Sequence, residues 1–361
     1  MDNNTIVVGG GLFGLTTAIV LAESGIEVTV LEKNLDVLKE ASMINQNRIH
    51  YGYHYPRSIE TGQESIDGME DFLSYYDDSI NNSLIKYYAI SKQKSHISVD
   101  EFIQFSKNLN MPLEEAWPEK QFLNRDLIQQ CWRVYEPSFD YQTLRVNILT
   151  RIQKLKNIKI LRNAKVIKID SFNDNQVQVT LRDGHIVKGN NLINATYSGL
   201  NEIFKLVLKK DMEAKFQLVV LPILKVNKKI PTYGLTIMDG PFCSILPRGF
   251  SKDEYILSSV KESVLESKEG FKKPNWKAFD GNVESDIVET CKTYFPILSE
   301  MDIIDSWITT KMLLPNQEKN DARPTLILTH KKNIHSIFSG KVTTCVKVAK
   351  DILKKIEANH E

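Results

Sequence analysis

The chain opens on an unbroken apolar, β-branched run, Thr5-Ile-Val-Val, that ends in glycines. A run without polar alternation predicts a strand buried on both faces. From Leu12 to Ser24 the apolar residues Leu12, Leu15, Ala18, Ile19 and Ala22 fall at helical spacing, and Gly25 supplies the stop. Ile26 to Leu31 is a second β-branched strand, closing on Glu32. Further on, the pattern predicts a long helix over Gln142 to Leu155 and short strands at 158–162, 166–170, 177–181 and 192–196. Longer apolar strands follow at 216–225, 233–237, 241–247 and 255–260, punctuated by Asp239-Gly240 and Arg248-Gly249. Asn282 to Thr293 reads as an amphipathic helix, Thr325 to Thr329 as a strand, and Val342 to Ile356 as a last helix.

The opening unit is therefore strand, Gly9-Gly10-Gly11-Leu12-Phe13-Gly14, helix, strand, acid. In a dinucleotide site Gly9 permits the tight turn, Gly11 lets the backbone approach a pyrophosphate, and Gly14 lets the helix pack close to the strand. The helix start at Leu12 and Phe13 turns N–H groups and a partial positive charge toward the phosphates. Glu32 is placed to accept hydrogen bonds from an adenosine ribose, and Lys33 beside it is assigned to the same site. An adenine dinucleotide is expected, but the motif does not separate FAD from NAD. No second such glycine unit follows Gly14, which favours electrons entering from an organic substrate rather than from NAD(P)H.

Composition removes whole classes. With 42% hydrophobic and 25% charged residues the chain is neither disordered nor fibrous, and a net charge of +1 offers no footprint for nucleic acid. A small molecule becomes the expected partner. Four scattered cysteines without CxxC spacing suggest neither a disulfide framework nor a metal site, and no apolar stretch reaches a membrane-spanning length. A cytoplasmic protein is expected.

The segment Ala41-Ser42-Met-Ile-Asn45-Gln46-Asn-Arg48-Ile-His50-Tyr-Gly52-Tyr-His54-Tyr-Pro56-Arg57 is unusual in its density of titratable groups. If extended, it sends Arg48, His50, Gly52 and His54 to one side and Ile49, Tyr51, Tyr53 and Tyr55 to the other. Following the glycine motif and Glu32, it resembles the passage by which the D-amino-acid-oxidase superfamily of FAD-dependent oxidoreductases leads its chain past the FAD pyrophosphate and flavin. That superfamily includes glycine and sarcosine oxidases and 2-hydroxyglutarate oxidase. Later landmarks agree in order: Glu136-Pro137 before Asp140-Tyr141-Gln142, then Asn194-Ala195-Thr196, then Asp321-Ala-Arg323-Pro324, and last Ser339-Gly340-Lys341 before the final helix. Tyr197-Ser198 departs from the family pattern by displacing its usual glycine to Gly199.

The resemblance implies a Rossmann-like FAD-binding lobe, discontinuous over 1–64, 133–213 and 316–361. A mixed or antiparallel-sheet substrate lobe would cover 65–132 and 214–315. It implies non-covalent FAD held by Gly9, Gly11, Leu12, Phe13, Gly14, Glu32, Lys33, Ser42, Asn45, Gln46 and Arg48, then by Val166, Ala195, Thr196 and Gly199. Ser339, Gly340, Lys341, Val342 and Thr343 would complete the site against the flavin pyrimidine. The implied activity is oxidation of a small amine, amino acid or 2-hydroxy acid by hydride transfer to flavin N5, with oxygen or another redox carrier as final acceptor. Arg48, His50, His54, Arg248 and Lys311 are the candidate catalytic and substrate-holding residues. A redox-neutral flavoenzyme such as a sugar mutase, and a non-catalytic FAD-binding protein, remain alternatives at this point.

Overall fold

The structure is a computed structural model that describes residues 4–173, 176–209, 212–277, 282–315 and 323–358. Asn4–Val8 is the inner strand of a six-stranded sheet whose order is 326–331, 334–338, 191–194, 4–8, 27–31, 158–161. All neighbours are parallel except the outermost pair, Leu326–Lys331 with Ile334–Phe338. The chain leaves Asn4–Val8 toward Glu27–Leu31 on one side and later returns at Asn191–Asn194 on the other. This is a switch of direction, and its carboxyl ends are where an open α/β sheet leaves room for a ligand. The connecting helix α1 (Leu12–Glu23) is buried nearly all round, as its uniformly apolar sequence requires.

Helix α2 (Ile59–Tyr75) is capped by the Ser58 hydroxyl, and α3 (Val99–Asn108) by a reciprocal Ser98/Glu101 box. Helix α4 (Tyr141–Lys154) starts at Asp140, whose carboxylate accepts the Thr143 N–H at 2.8 Å. Helices α5 (Leu200–Leu208), α6 (Val283–Lys292) and α7 (Cys345–Glu357) follow. Met69 and Phe72 of α2 share one apolar core with Leu15 and Ile19 of α1, Ile148 of α4 and Val346 and Ile352 of α7. The expected lobe boundary at residue 64 therefore falls inside α2, and this helix sides with the dinucleotide sheet. The boundary near 316 and Asp321 lie outside the described residues.

The second lobe is a nine-stranded mixed sheet whose long strands Ala214–Val226 and Met301–Leu313 pair antiparallel along nearly their whole length. Tyr233–Met238 pairs in parallel with Ile85–Ser91, so the sheet is mixed rather than wholly antiparallel. Val166–Asn173, Gln176–Leu181 and Ile186–Gly189 form a separate three-stranded antiparallel sheet. Among the described residues no helix is long and apolar enough to cross a membrane.

Candidate active site

The glycine turn is built by close approach. Gly9 has φ +110°, and a Cβ there would lie 2.6 Å from the Ala195 carbonyl oxygen. A Cβ on Gly14 would lie 1.9 Å from the Gly9 carbonyl oxygen, so helix and turn touch backbone to backbone. The Glu32 carboxylate is buried and accepts the Gly10 N–H at 2.7 Å and the Asn34 N–H at 2.8 Å. Ser42 reaches across to accept the Leu12 N–H at 2.9 Å, and Asn45 holds its own loop by donating to the Ala41 and Ser42 carbonyls.

Above this turn runs a cleft of about 900 Å³ lined by Gly9, Gly11, Glu32, Lys33, Val166, Thr196 and Gly199. It continues into a second chamber of about 790 Å³ lined by Leu12, Phe13, Asn45, Ser339, Gly340 and Val342. Gly11, Ser42 and Ala195 border both chambers. Lys311 lines the second, as its strand position suggested.

Among the bordering residues that the sequence did not point to are Tyr197, Thr309 and Thr310. Tyr197 and Thr309 face both chambers and Thr310 faces the first. Tyr197 takes the left-handed φ of 49° just where the resembling family places its glycine. Its hydroxyl accepts the Met312 N–H at 3.3 Å, which ties the turn to the second lobe.

A flavin adenine dinucleotide fits this channel. The adenine end has a fixed carboxylate, the middle has a glycine turn at a helix start whose N-cap, Gly11, has no side chain, and the far end opens onto Gly340. Beyond its chain neighbours Ser339 and Lys341, no described atom lies within 4 Å of a Cβ built on Gly340, so that missing Cβ leaves room in the chamber itself.

Several expected contacts are corrected. Gly14 acts beneath the turn rather than at the cleft wall. Gln46 and Arg48 line neither chamber; Gln46 instead bonds Ser244 Oγ at 3.0 Å and accepts from Arg48 at 3.2 Å. Lys341 is fully buried and turned away, ion-paired with Glu64 beneath the Tyr55 ring. Thr343 is buried against Gly68, because α7 starts at Cys345 and 342–344 forms a 3-10 turn. Arg248 pairs with Glu254 at 2.9 Å and lies over the Trp307 ring, which spends its charge at a strand-end turn away from the cleft.

The 48–57 segment is not extended. It turns at Gly52, φ +105°, and only Arg48 makes a bridge, to Ser138. The turn nevertheless brings Arg48, His50 and His54 together, although none of the three lines either chamber; the two histidines are half-buried, and Tyr53 and Tyr55 go into the core. Arg48 and His50 share one partner, Glu136, a fully buried carboxylate that sequence reading had treated only as a landmark. It accepts the Tyr88 hydroxyl at 2.9 Å and lies 3.1 Å from Lys86 Nζ, 3.7 Å from Arg48 Nε and 3.7 Å from His50 Nδ1. Arg48 also reaches His54 Nδ1 at 3.1 Å and the Thr236 hydroxyl at 3.2 Å.

Burial alone would raise the Glu136 pKa, but Lys86, His50 and Arg48 outweigh it and hold the group well below the usual carboxylate range. Burial, reinforced by Arg48 and Lys86, pushes His50 down to about 4 against the pull of Glu136. Burial and Arg48 likewise hold His54 well below its ordinary value. Burial pushes Lys86 down to about 7, with Arg48 adding to it. Elsewhere, burial takes His335 to about 4 and lifts the Cys345 thiol to about 12, so Cys345 is a small apolar packer.

A pH dependence follows. A histidine neutral when folded binds fewer protons than when unfolded, so stability is full above about 6.5 and lost as pH falls toward 4. Displacement of His335 is worth on the order of 1.4 kcal/mol per pH unit. Denaturant unfolding across this range should show stability falling steeply with acid, and His335→Gln should flatten the slope.

Comparison with known proteins agrees with this geometry. The family described as DAO, FAD dependent oxidoreductase, matches residues 4–321. The chain is 29% identical over 113 residues to FAD-dependent monooxygenase FPY4 of Fusarium mangiferae, a match spanning 31% of each chain. Its fold superposes on glycine oxidase from Geobacillus kaustophilus with TM-score 0.80 at 10% identity, covering 99% of this chain and 95% of that one. L-proline dehydrogenase from P. horikoshii gives 0.75 at 15% identity, covering 99% and 94%.

Proposed function

The chain belongs to the DAO family of FAD-dependent oxidoreductases, and from that premise we propose that it oxidises a small amine, amino acid or 2-hydroxy acid at the C–H bond beside nitrogen or oxygen. Two fold neighbours are named for glycine and for proline, which supports a substrate of that class. FAD, when bound there, would supply the two-electron acceptor for hydride at N5. Gly9, Gly11, Glu32, Ser42 and Gly340 would hold it without a covalent bond.

One observation carries the substrate reading. Two basic side chains, Arg48 and Lys86, share the single buried carboxylate of Glu136. A substrate carboxylate set against Arg48 would balance that group, and an oriented C–H bond supplies the geometric part of the rate. Lys311 lines the second chamber, which supports a role for it near the reacting end.

Anaerobic mixing of the oxidised holoprotein with pools of amines, amino acids and hydroxy acids tests the reading. At least one pool should bleach the visible flavin absorbance, and a flavin that no pool reduces would refute it. With the substrate so found, Arg48→Ala should raise KM by roughly 10- to 100-fold, the value of one charge-assisted hydrogen bond.

A further inference from the structure

His50 and His54, each half-buried, face different partners, and those partners dictate where their protons sit. Arginine carries only donors. Arg48 Nη1 lies 3.1 Å from His54 Nδ1, so that nitrogen must offer its lone pair, and a neutral ring then carries its proton on Nε2. His50 Nδ1 lies 3.7 Å from Glu136 Oε1, longer than a direct hydrogen bond but close enough for charge to orient the ring. An N–H dipole pointing at an ionised carboxylate is favoured and a lone pair pointing there is repelled. His50 therefore keeps its proton on Nδ1 and its lone pair on Nε2. Glu136 cannot turn away, because Tyr88 and Lys86 hold it.

On the proposed oxidation of a C–H bond, we propose that His50 and His54 stand in opposite tautomers, His50 Nε2 accepting the substrate's N–H or O–H proton and His54 Nε2–H donating a hydrogen bond. The balance is complete. The C–H bond breaks with its electron pair leaving as hydride to the family's FAD, the N–H or O–H proton passes to His50, and C=N or C=O remains. The resulting imidazolium faces Glu136. Arg48 and Lys86 depress the basicity of His50 in the free site, and a substrate anion against Arg48 offsets them once it is bound. The ring centroids are 5.2 Å apart and both rings are half-buried, a spacing that one small substrate spans.

The test uses FAD-bound, full-length protein with ¹⁵N-labelled histidine, whose ring nitrogen shifts report the tautomer; His50→Gln and His54→Gln assign the signals. His50 should appear as the Nδ1–H form and His54 as the Nε2–H form. With a substrate that bleaches the wild type, His50→Gln should slow flavin reduction by about 100-fold or more, while His54→Gln should mainly raise KM. Matching tautomers, or His50→Gln reducing at the wild-type rate, would overturn the proposal. Failure of every substrate pool would instead overturn the oxidation, with the tautomers still read from the spectra.

Discussion

Gly14→Ala will yield a protein that retains no FAD and has lost more than about 3 kcal/mol of stability. The new methyl would stand 1.9 Å from the Gly9 carbonyl oxygen, and both partners are backbone, so relief requires the first turn of α1 to move off the sheet. Overpacking of a rigid core costs about 1–3 kcal/mol when side chains can yield, and here none can. Moving α1 also displaces the Leu12 N–H from Ser42 and tilts the helix start away from the cleft. Gly340→Ala is the control. Its Cβ meets nothing in the protein, so unfolding in denaturant should be unchanged without cofactor while FAD affinity falls. Equal losses of stability in the two variants would refute the division between a packing glycine and a cleft glycine.

Glu136→Gln should be the second severe substitution. It leaves Arg48 and Lys86 buried beside one another with no anion, and breaking one side of a buried ion pair costs about 3–5 kcal/mol. Adding Lys86→Met should recover part of that loss, because the double variant no longer buries two adjacent cations. A double-mutant cycle by denaturant unfolding measures the coupling. Additive losses would mean that the contact at 3.1 Å carries no energy.

The dinucleotide half of this site was legible in the sequence because its chemistry is local. The β-branched run, the three glycines and Glu32 act within one strand-turn-helix-strand unit, and spacing alone places them. The substrate half was not, because Lys86, Tyr88 and Glu136 come from strands and loops that converge only in the folded sheet. Their types gave no periodic signal. The extended reading of 48–54 failed at Gly52, whose positive φ turns the chain and still delivers His50 and His54 to one place. Arg248 looked like a carboxylate clamp only because Glu254 and Trp307 are invisible to local pattern. Lys341 was read as facing the cofactor next to Gly340. Its partner Glu64, far away in sequence on α2, draws it the other way.

The central claim is that the glycine-lined cleft and the Arg48–His50–Glu136 cluster serve one oxidising site. A crystal structure of the holoprotein, soaked without oxygen with the acid or amine that bleaches it, tests this most directly. It should show the FAD pyrophosphate over Gly9 to Gly14, the ring between Gly340 and Lys311, and the substrate's acidic group on Arg48 with its amine or hydroxyl at His50 Nε2. A substrate seated on the ring but out of reach of both Arg48 and His50 would contradict the account.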